Sequence, residues 1–188
     1  FGVPREILIA IWAMESNFGR IQGDMDVLRC MATLAADGRR RGWAEGQING
    51  KGFLTQPNGD VYEGSFVNGQ REGQGKLTHK NGDIYFGAWA RDRRQGNGSF
   101  TAADGFKYEG TWVEGRMEGT GSITYPDGSV YIGAMKADQP HGQGAITYPD
   151  GATFQGNWAA GLITGAGRAT YPDGRVYEGA FLNARPHG

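Results

Sequence analysis

The sequence predicts a mainly β protein: an elongated antiparallel meander of tandem hairpins, preceded by two short α-helices. Three observations carry that reading. An aromatic residue followed two positions later by glycine recurs at Tyr62, Tyr85, Tyr108, Tyr131, Phe154 and Tyr177, always 23 residues apart. A fixed period of this size marks a repeat architecture. Within each unit, aromatic and glycine positions alternate, as in Tyr108, Gly110 and Trp112, which is the period-two signature of one strand face. Each unit also spells Asn-Gly or Asp-Gly, from Asn58-Gly59 to Asp173-Gly174, a turn signal between strands.

The chain divides at about residue 41. Residues 1–41 carry helical patterning and residues 42–188 carry the period. Pro4 suits a first helical turn, where its missing N–H has no partner to lose. Over 5–17, Leu8, Ile11, Trp12 and Glu15 lie three or four apart and share one face. Gly19 stops this helix. A second helix fits 26–37, with Asp24 or Asp26 as N-cap and Gly38 as C-terminal stop. Its Val27, Leu28, Met31, Leu34 and Ala35 form an apolar stripe, and Arg39, Arg40 and Arg41 follow at the negative end of the dipole. Two short helices cannot bury a core alone. They are expected to cover the first edge of the sheet.

In the repeats, a large apolar column follows the glycine column by two residues: Phe66, Trp89, Trp112, Met135, Trp158 and Phe181, with Trp43 one period earlier. A half-repeat therefore begins at Trp43, followed by about six repeats of which the last is cut short. Large rings leaning over bare glycine backbone stabilise strands that glycine alone would weaken. Gly-x-Gly then recurs at 50/52, 73/75, 96/98, 119/121, 142/144 and 165/167 and reads as a link between strands. The second strand has Leu54, Leu77, Phe100, Ile123, Ile146 and Ala169 on one face and Thr55, Thr78, Thr101, Thr124, Thr147 and Thr170 on the other. The Asn-Gly and Asp-Gly pairs that close each unit are expected to form type I′ turns, with positive φ at both central residues.

Composition narrows the function classes. The formal charge is −1, and residues 42–188 hold 13 Lys/Arg against 15 Asp/Glu. That balance gives no electrostatic support to nucleic acid or to an anionic membrane lipid as partner. The Arg91–Arg94 run reads as a solvated loop. Cys30 is alone, so no internal disulfide forms, and its expected state is buried and inert. His79, His141 and His187 lie far apart without a ligand cluster, so no metal site is expected. No cofactor is implied, because Gly-x-Gly lacks the strand–loop–helix context and the Lys-Ser/Thr of a phosphate loop.

Two resemblances sharpen this. The unit Y-x-G-x-W-x-x-G-x-x-x-G-x-G-x-x-x-Y-P-D-G, repeated over 42–188, resembles the MORN repeat (membrane occupation and recognition nexus). That resemblance implies β-sheet arrays that act as scaffolds, bind protein partners and self-associate. The aromatic face, with Tyr85, Trp89, Tyr108, Trp112, Tyr131 and Trp158, is its candidate binding surface, and packing of the sheet is the plain alternative. An aromatic face left open would expect a partner.

Residues 1–41, with the core Ile11-Trp12-x-x-Glu15-Ser16-x-Phe18-Gly19, resemble the catalytic-helix region of membrane-bound lytic murein transglycosylase B and its relatives. The resemblance implies that Glu15 is the catalytic acid and base. It would protonate the glycosidic oxygen between N-acetylmuramic acid and N-acetylglucosamine, then deprotonate the sugar's 6-hydroxyl to leave a 1,6-anhydro product. A carboxyl raised toward neutral pKa suits both steps. It also implies peptidoglycan as substrate and the cell envelope or periplasm as location. Family members continue well beyond this segment to build a sugar-binding groove, whereas here repeats begin. The chain alone is therefore expected to lack activity. With its start inside a motif and its end inside a repeat, it is expected to be a piece of a longer protein.

Overall fold

The structure, a computed structural model, describes residues 48–187. The two expected helices, Glu15, Cys30 and Trp43 lie outside the described residues. What is described is all β: β1 (Gly50–Thr55), β2 (Val61–Val67), β3 (Gln70–Thr78), β4 (Ile84–Ala90), β5 (Arg93–Thr101), β6 (Lys107–Val113), β7 (Arg116–Thr124), β8 (Val130–Lys136), β9 (Gln139–Thr147), β10 (Thr153–Ala159), β11 (Leu162–Thr170), β12 (Val176–Leu182) and β13 (Arg185–Pro186). The strand order in the sheet is the order of the chain, an antiparallel meander of 13 strands. Among the described residues, contacts divide the chain into two compact units: 48–80 with Trp89–Asp92, and Asn81–Ala88 with 93–187.

In the first unit, β1 pairs with β2 and β2 with β3. In the second, β5 to β13 pair in succession, as in Tyr108 opposite both Phe100 and Ile123. Opposed residues share a face, so the aromatic column and the Leu77/Ile123 column lie together, as the sequence pattern requires. The threonines point the other way. Thr124 faces Lys107 and Val130, whereas Thr147 and Thr170 each meet another threonine, Thr153.

The type I′ turns expected at the Asn-Gly and Asp-Gly pairs are not found there. The Asn-Gly and Asp-Gly loops have positive φ at the glycine, for example 91° at Gly59, and not at the preceding residue. Gly59 N–H donates to Gln56 O at 2.9 Å and Gln56 N–H donates to Asp60 O at 2.8 Å. This is the pattern of a type I turn followed by a left-handed glycine. The cause is side-chain chemistry. Asn58 Oδ1 accepts the N–H of Asp60 at 3.0 Å, and Asp127 Oδ1 accepts that of Ser129 at 2.8 Å. This short-range bond favours the wider loop. The type I′ turns sit at the other end of each hairpin. Both central residues have positive φ there: 51° and 78° at Asn68 and Gly69, 49° and 69° at Ala137 and Asp138.

Gly-x-Gly is likewise part of a strand and not a link. The strand preceding each bulge, such as β6, has 7 residues and its partner β7 has 9. The excess is absorbed between Gly110 and Trp112, whose partners are Gly121 and Met117. Gly119, at φ 76°, supplies the left-handed residue within that bulge.

Candidate interaction face

One face of the sheet holds its core. Tyr108 lies flat along its own strand and its neighbour. An added Cβ would come within 2.4 Å of its ring or hydroxyl at both Gly110 and Gly121. Its hydroxyl donates to Thr111 O at 2.9 Å. Tyr85 and Tyr131 repeat the bond to Ala88 O and Ala134 O at 2.9 and 2.7 Å. The glycines fall opposite one another from Gly98 through Gly110, Gly121, Gly133, Gly144, Gly156 and Gly167 to Gly179. They form a lane without side chains in which the phenols rest. Burial pushes the hydroxyls of Tyr62, Tyr108 and Tyr131 up to about 12.

The next column locks the phenols in place. Trp112 meets Tyr85 and Tyr108 edge-on, each at 5.2 Å between centroids. Its Nε1–H donates to Gly98 O at 3.2 Å, as Trp158 does to Gly144 O. Arg94 belongs to the run read as a solvated loop. Only Arg91 and Asp92 form the turn, while the Arg94 guanidinium stands 4.9 Å from the Tyr85 ring and 5.0 Å from that of Trp112. In the first unit, Arg71 covers Trp89 at 4.3 Å and is held by Asp92 at 3.0 Å.

The six aromatic residues expected to bind are thus brought into the two interlocked columns. Their exposures are 0 % for Tyr85, Tyr108 and Tyr131, 4 % for Trp89, 3 % for Trp112 and 7 % for Trp158. Their surface is occupied by one another and by glycine backbone. The accessible parts of this face lie at its margins.

The turn-side margin has its own ladder. Tyr125, Tyr148 and Tyr171 occupy one position 23 residues apart, each opening a Tyr-Pro-Asp-Gly loop, and each is half-buried. Each main-chain N–H donates to the carbonyl four residues on, at 2.8–2.9 Å. The Tyr125 ring packs on Phe106 at 6.1 Å, which in turn meets Phe100 at 6.3 Å. Desolvation raises the Tyr125 and Tyr148 hydroxyls; next in weight are the Tyr148 hydroxyl for Tyr125 and the Asp127 carboxylate for Tyr148. Asp127, Asp150 and Asp173 are exposed beside the ladder. Sequence reasoning treated Tyr-Pro-Asp-Gly as turn spelling. The available signal was that tyrosine is not needed for the turn, since Gln56, His79 and Ala102 occupy the same column.

The opposite face exposes isolated apolar groups, Phe53 at 36 %, Phe86 at 57 % and Ile132 at 63 %. In the second unit, Glu109 stands between Ser99 and Ser122 on this face, in the same row as Ile132.

These features define a class: a repeat protein whose sheet is held by its own periodic aromatic columns. The MORN repeat family model matches residues 62–84, 85–107, 108–130, 131–153 and 154–174, more than half of the chain. The chain belongs to the MORN-repeat family. A Transglycosylase SLT domain model matches residues 1–55, extending past residue 41 and across β1. No curated protein matches the chain. Among solved structures it is similar to the SAS-4 (dCPAP) TCP domain of Drosophila melanogaster in complex with a proline-rich motif of Ana2. That match has 15% identity and a TM-score of 0.32, covering 71% of this chain and 88% of that one. A mutant TCP10 domain of Danio rerio CPAP gives 16% identity and a TM-score of 0.32, covering 76% and 91%.

Proposed function

We propose that the chain is an interaction scaffold: a MORN sheet that holds a protein partner or a second copy of itself, joined to a peptidoglycan transglycosylase-like segment and working at the cell envelope. The observation that supports this is periodic presentation. Each surface position recurs on every second strand at 23-residue intervals, and the residues that build the sheet are withdrawn into it. Such a surface offers an extended partner several equivalent contacts, which add as linked binding events. The aromatic columns serve this role as the rigid support for their margins. The envelope location is supported by the transglycosylase-domain match.

That same match favours a second reading, in which Glu15 is a working acid and base on peptidoglycan and the repeats localise the enzyme. The scaffold reading is preferred because the described residues build a periodic sheet, whereas Glu15 lies outside them.

The scaffold is tested by placing a photo-crosslinking residue at Glu109 and at Tyr148 of the full chain, in the cell that encodes it. Both positions are at least partly exposed. The scaffold reading expects discrete adducts, to a partner or to a second copy. A folded chain that gives no adduct from either position overturns it.

A further inference from the structure

We propose that the turn-side margin formed by Tyr125, Tyr148 and Tyr171 docks a basic, proline-containing peptide segment, laid across the strands in polyproline II conformation. This site rests on the scaffold reading and gives it a surface and a partner class.

The first argument is pitch. Equivalent positions of the ladder are two strands apart, since Tyr125, Tyr148 and Tyr171 follow β7, β9 and β11. Strands lie about 4.7–4.9 Å apart, so the ladder repeats at about 9.5 Å. A polyproline II helix has three residues per turn and rises about 3.1 Å per residue, a repeat of about 9.3 Å. Every third residue of such a segment meets the next tyrosine without distortion. An α-helix, at about 5.4 Å per turn, falls out of step after one contact.

The second argument is the chemistry of the rings. Tyr125 is held by Phe106, and Tyr171 lies under the Arg175 guanidinium at 5.5 Å. The hydroxyls of Tyr125 and Tyr148 make no hydrogen bond among the described residues. Tyr125 and Tyr148 thus offer aromatic surface with a free hydroxyl, which suits a partner whose prolines offer apolar rings and bare carbonyls, whereas the Tyr171 ring carries Arg175.

The third argument is charge. Asp127 and Asp150 each give one oxygen to the N–H two residues on, at 2.8 and 2.9 Å, and both remain exposed. Asp173 is paired with Arg175 at 2.6 Å. Two unneutralised carboxylates beside the first two rings favour Lys or Arg in the partner. They disfavour an acidic glycan, whose carboxyl groups would face them.

The test uses the full chain and a fluorescently labelled peptide of repeating Pro-Pro-Arg units, read by anisotropy. Comparison probes are Gly-Gly-Arg and Pro-Pro-Glu repeats and a soluble β-1,4-linked N-acetylglucosamine oligomer. Binding of Pro-Pro-Arg is expected, weakened about tenfold or more by Tyr148→Ala, as for an aromatic anchor at an interface. Tyr148→Phe, which keeps the ring and removes only the hydroxyl, should weaken it less than Tyr148→Ala does, and Glu109→Ala should leave it unchanged. If Tyr148→Ala lowers the melting temperature, the variant Asp127→Lys with Asp150→Lys, which spares the rings, should show the same loss.

Equal affinity for Gly-Gly-Arg overturns the conformational claim, and no binding by the folded chain overturns the site. Binding of the sugar oligomer alone, lost in Tyr148→Ala, overturns the peptide and assigns the ladder to glycan. Failure here with persistent adducts at Glu109 leaves the scaffold standing without this site. Loss of both removes the scaffold itself.

Discussion

The ring of Tyr108 and the backbone of Gly121 lie so close that a Cβ on Gly121 would stand 2.4 Å from the ring. Tyr108 is fully buried and its hydroxyl is bonded to Thr111, so it cannot swing away. Gly121→Ala is therefore expected to cost about 3 kcal/mol, the upper part of the range for overpacking. Gly115 sits in a turn at φ 87° with nothing within 4 Å of an added Cβ. Gly115→Ala meets only backbone strain, about 1 kcal/mol. Urea denaturation of the two variants checks the order. Equal losses would mean that the phenol does not need the glycine lane.

Trp112 joins two phenols and donates to Gly98 O. Trp112→Ala should cost about 3–5 kcal/mol, as for a buried tryptophan. Trp112→Phe keeps the edge-on contact and should cost much less. Met135 already holds this column in the next repeat at 3 % exposure, so the column accepts a smaller, non-aromatic filler. Thermal melting of the two variants, beside Glu15→Gln as a control in the first segment, measures this. A Trp112→Ala melting temperature equal to the parent's would refute the packing account.

Alkaline stability has a fixed sign. The hydroxyls of Tyr62, Tyr108 and Tyr131 are pushed up to about 12 from 10.0, chiefly by burial. Between those values the unfolded chain loses phenolic protons that the folded chain keeps, so stability is full below pH 10 and falls toward pH 12. Phenolate absorbance and melting temperature, followed over that window, should change together. Phenols that titrate at their ordinary value while the protein stays folded would contradict it.

The type I′ turns offer a gain. Ala160 holds φ 49° before Gly161, a conformation that alanine tolerates poorly. Ala160→Asn creates the pair most favoured there and should stabilise by about 0.5–1 kcal/mol. Chemical denaturation decides it, and a destabilised variant would place the turn in another class.

Much of the fold was legible in the sequence, because a strict period fixes columns and period-two spacing fixes faces. Tyr108, Gly110 and Trp112 could be placed on one side of one strand before any coordinates. The turns were not legible from their dipeptides. Asp127-Gly128 spells a type I′ turn, yet the bond from Ser129 N–H to Asp127 Oδ1 favours the wider loop. The Gly-x-Gly pair hid two different reasons: Gly119 accommodates a bulge, and Gly121 underlies a ring. Only cross-strand register separates them. The Tyr125 ladder was visible as letters but not as a margin, because its direction depends on that same loop.

The most direct measurement is digestion of purified peptidoglycan by the 188-residue chain beside Glu15→Gln, with mass spectrometry of the soluble products. A scaffold predicts no 1,6-anhydro sugars from either, with the β-sheet circular dichroism signal intact in both. Anhydro products from the parent and none from Glu15→Gln would contradict that account and make the repeats the targeting arm of a working transglycosylase.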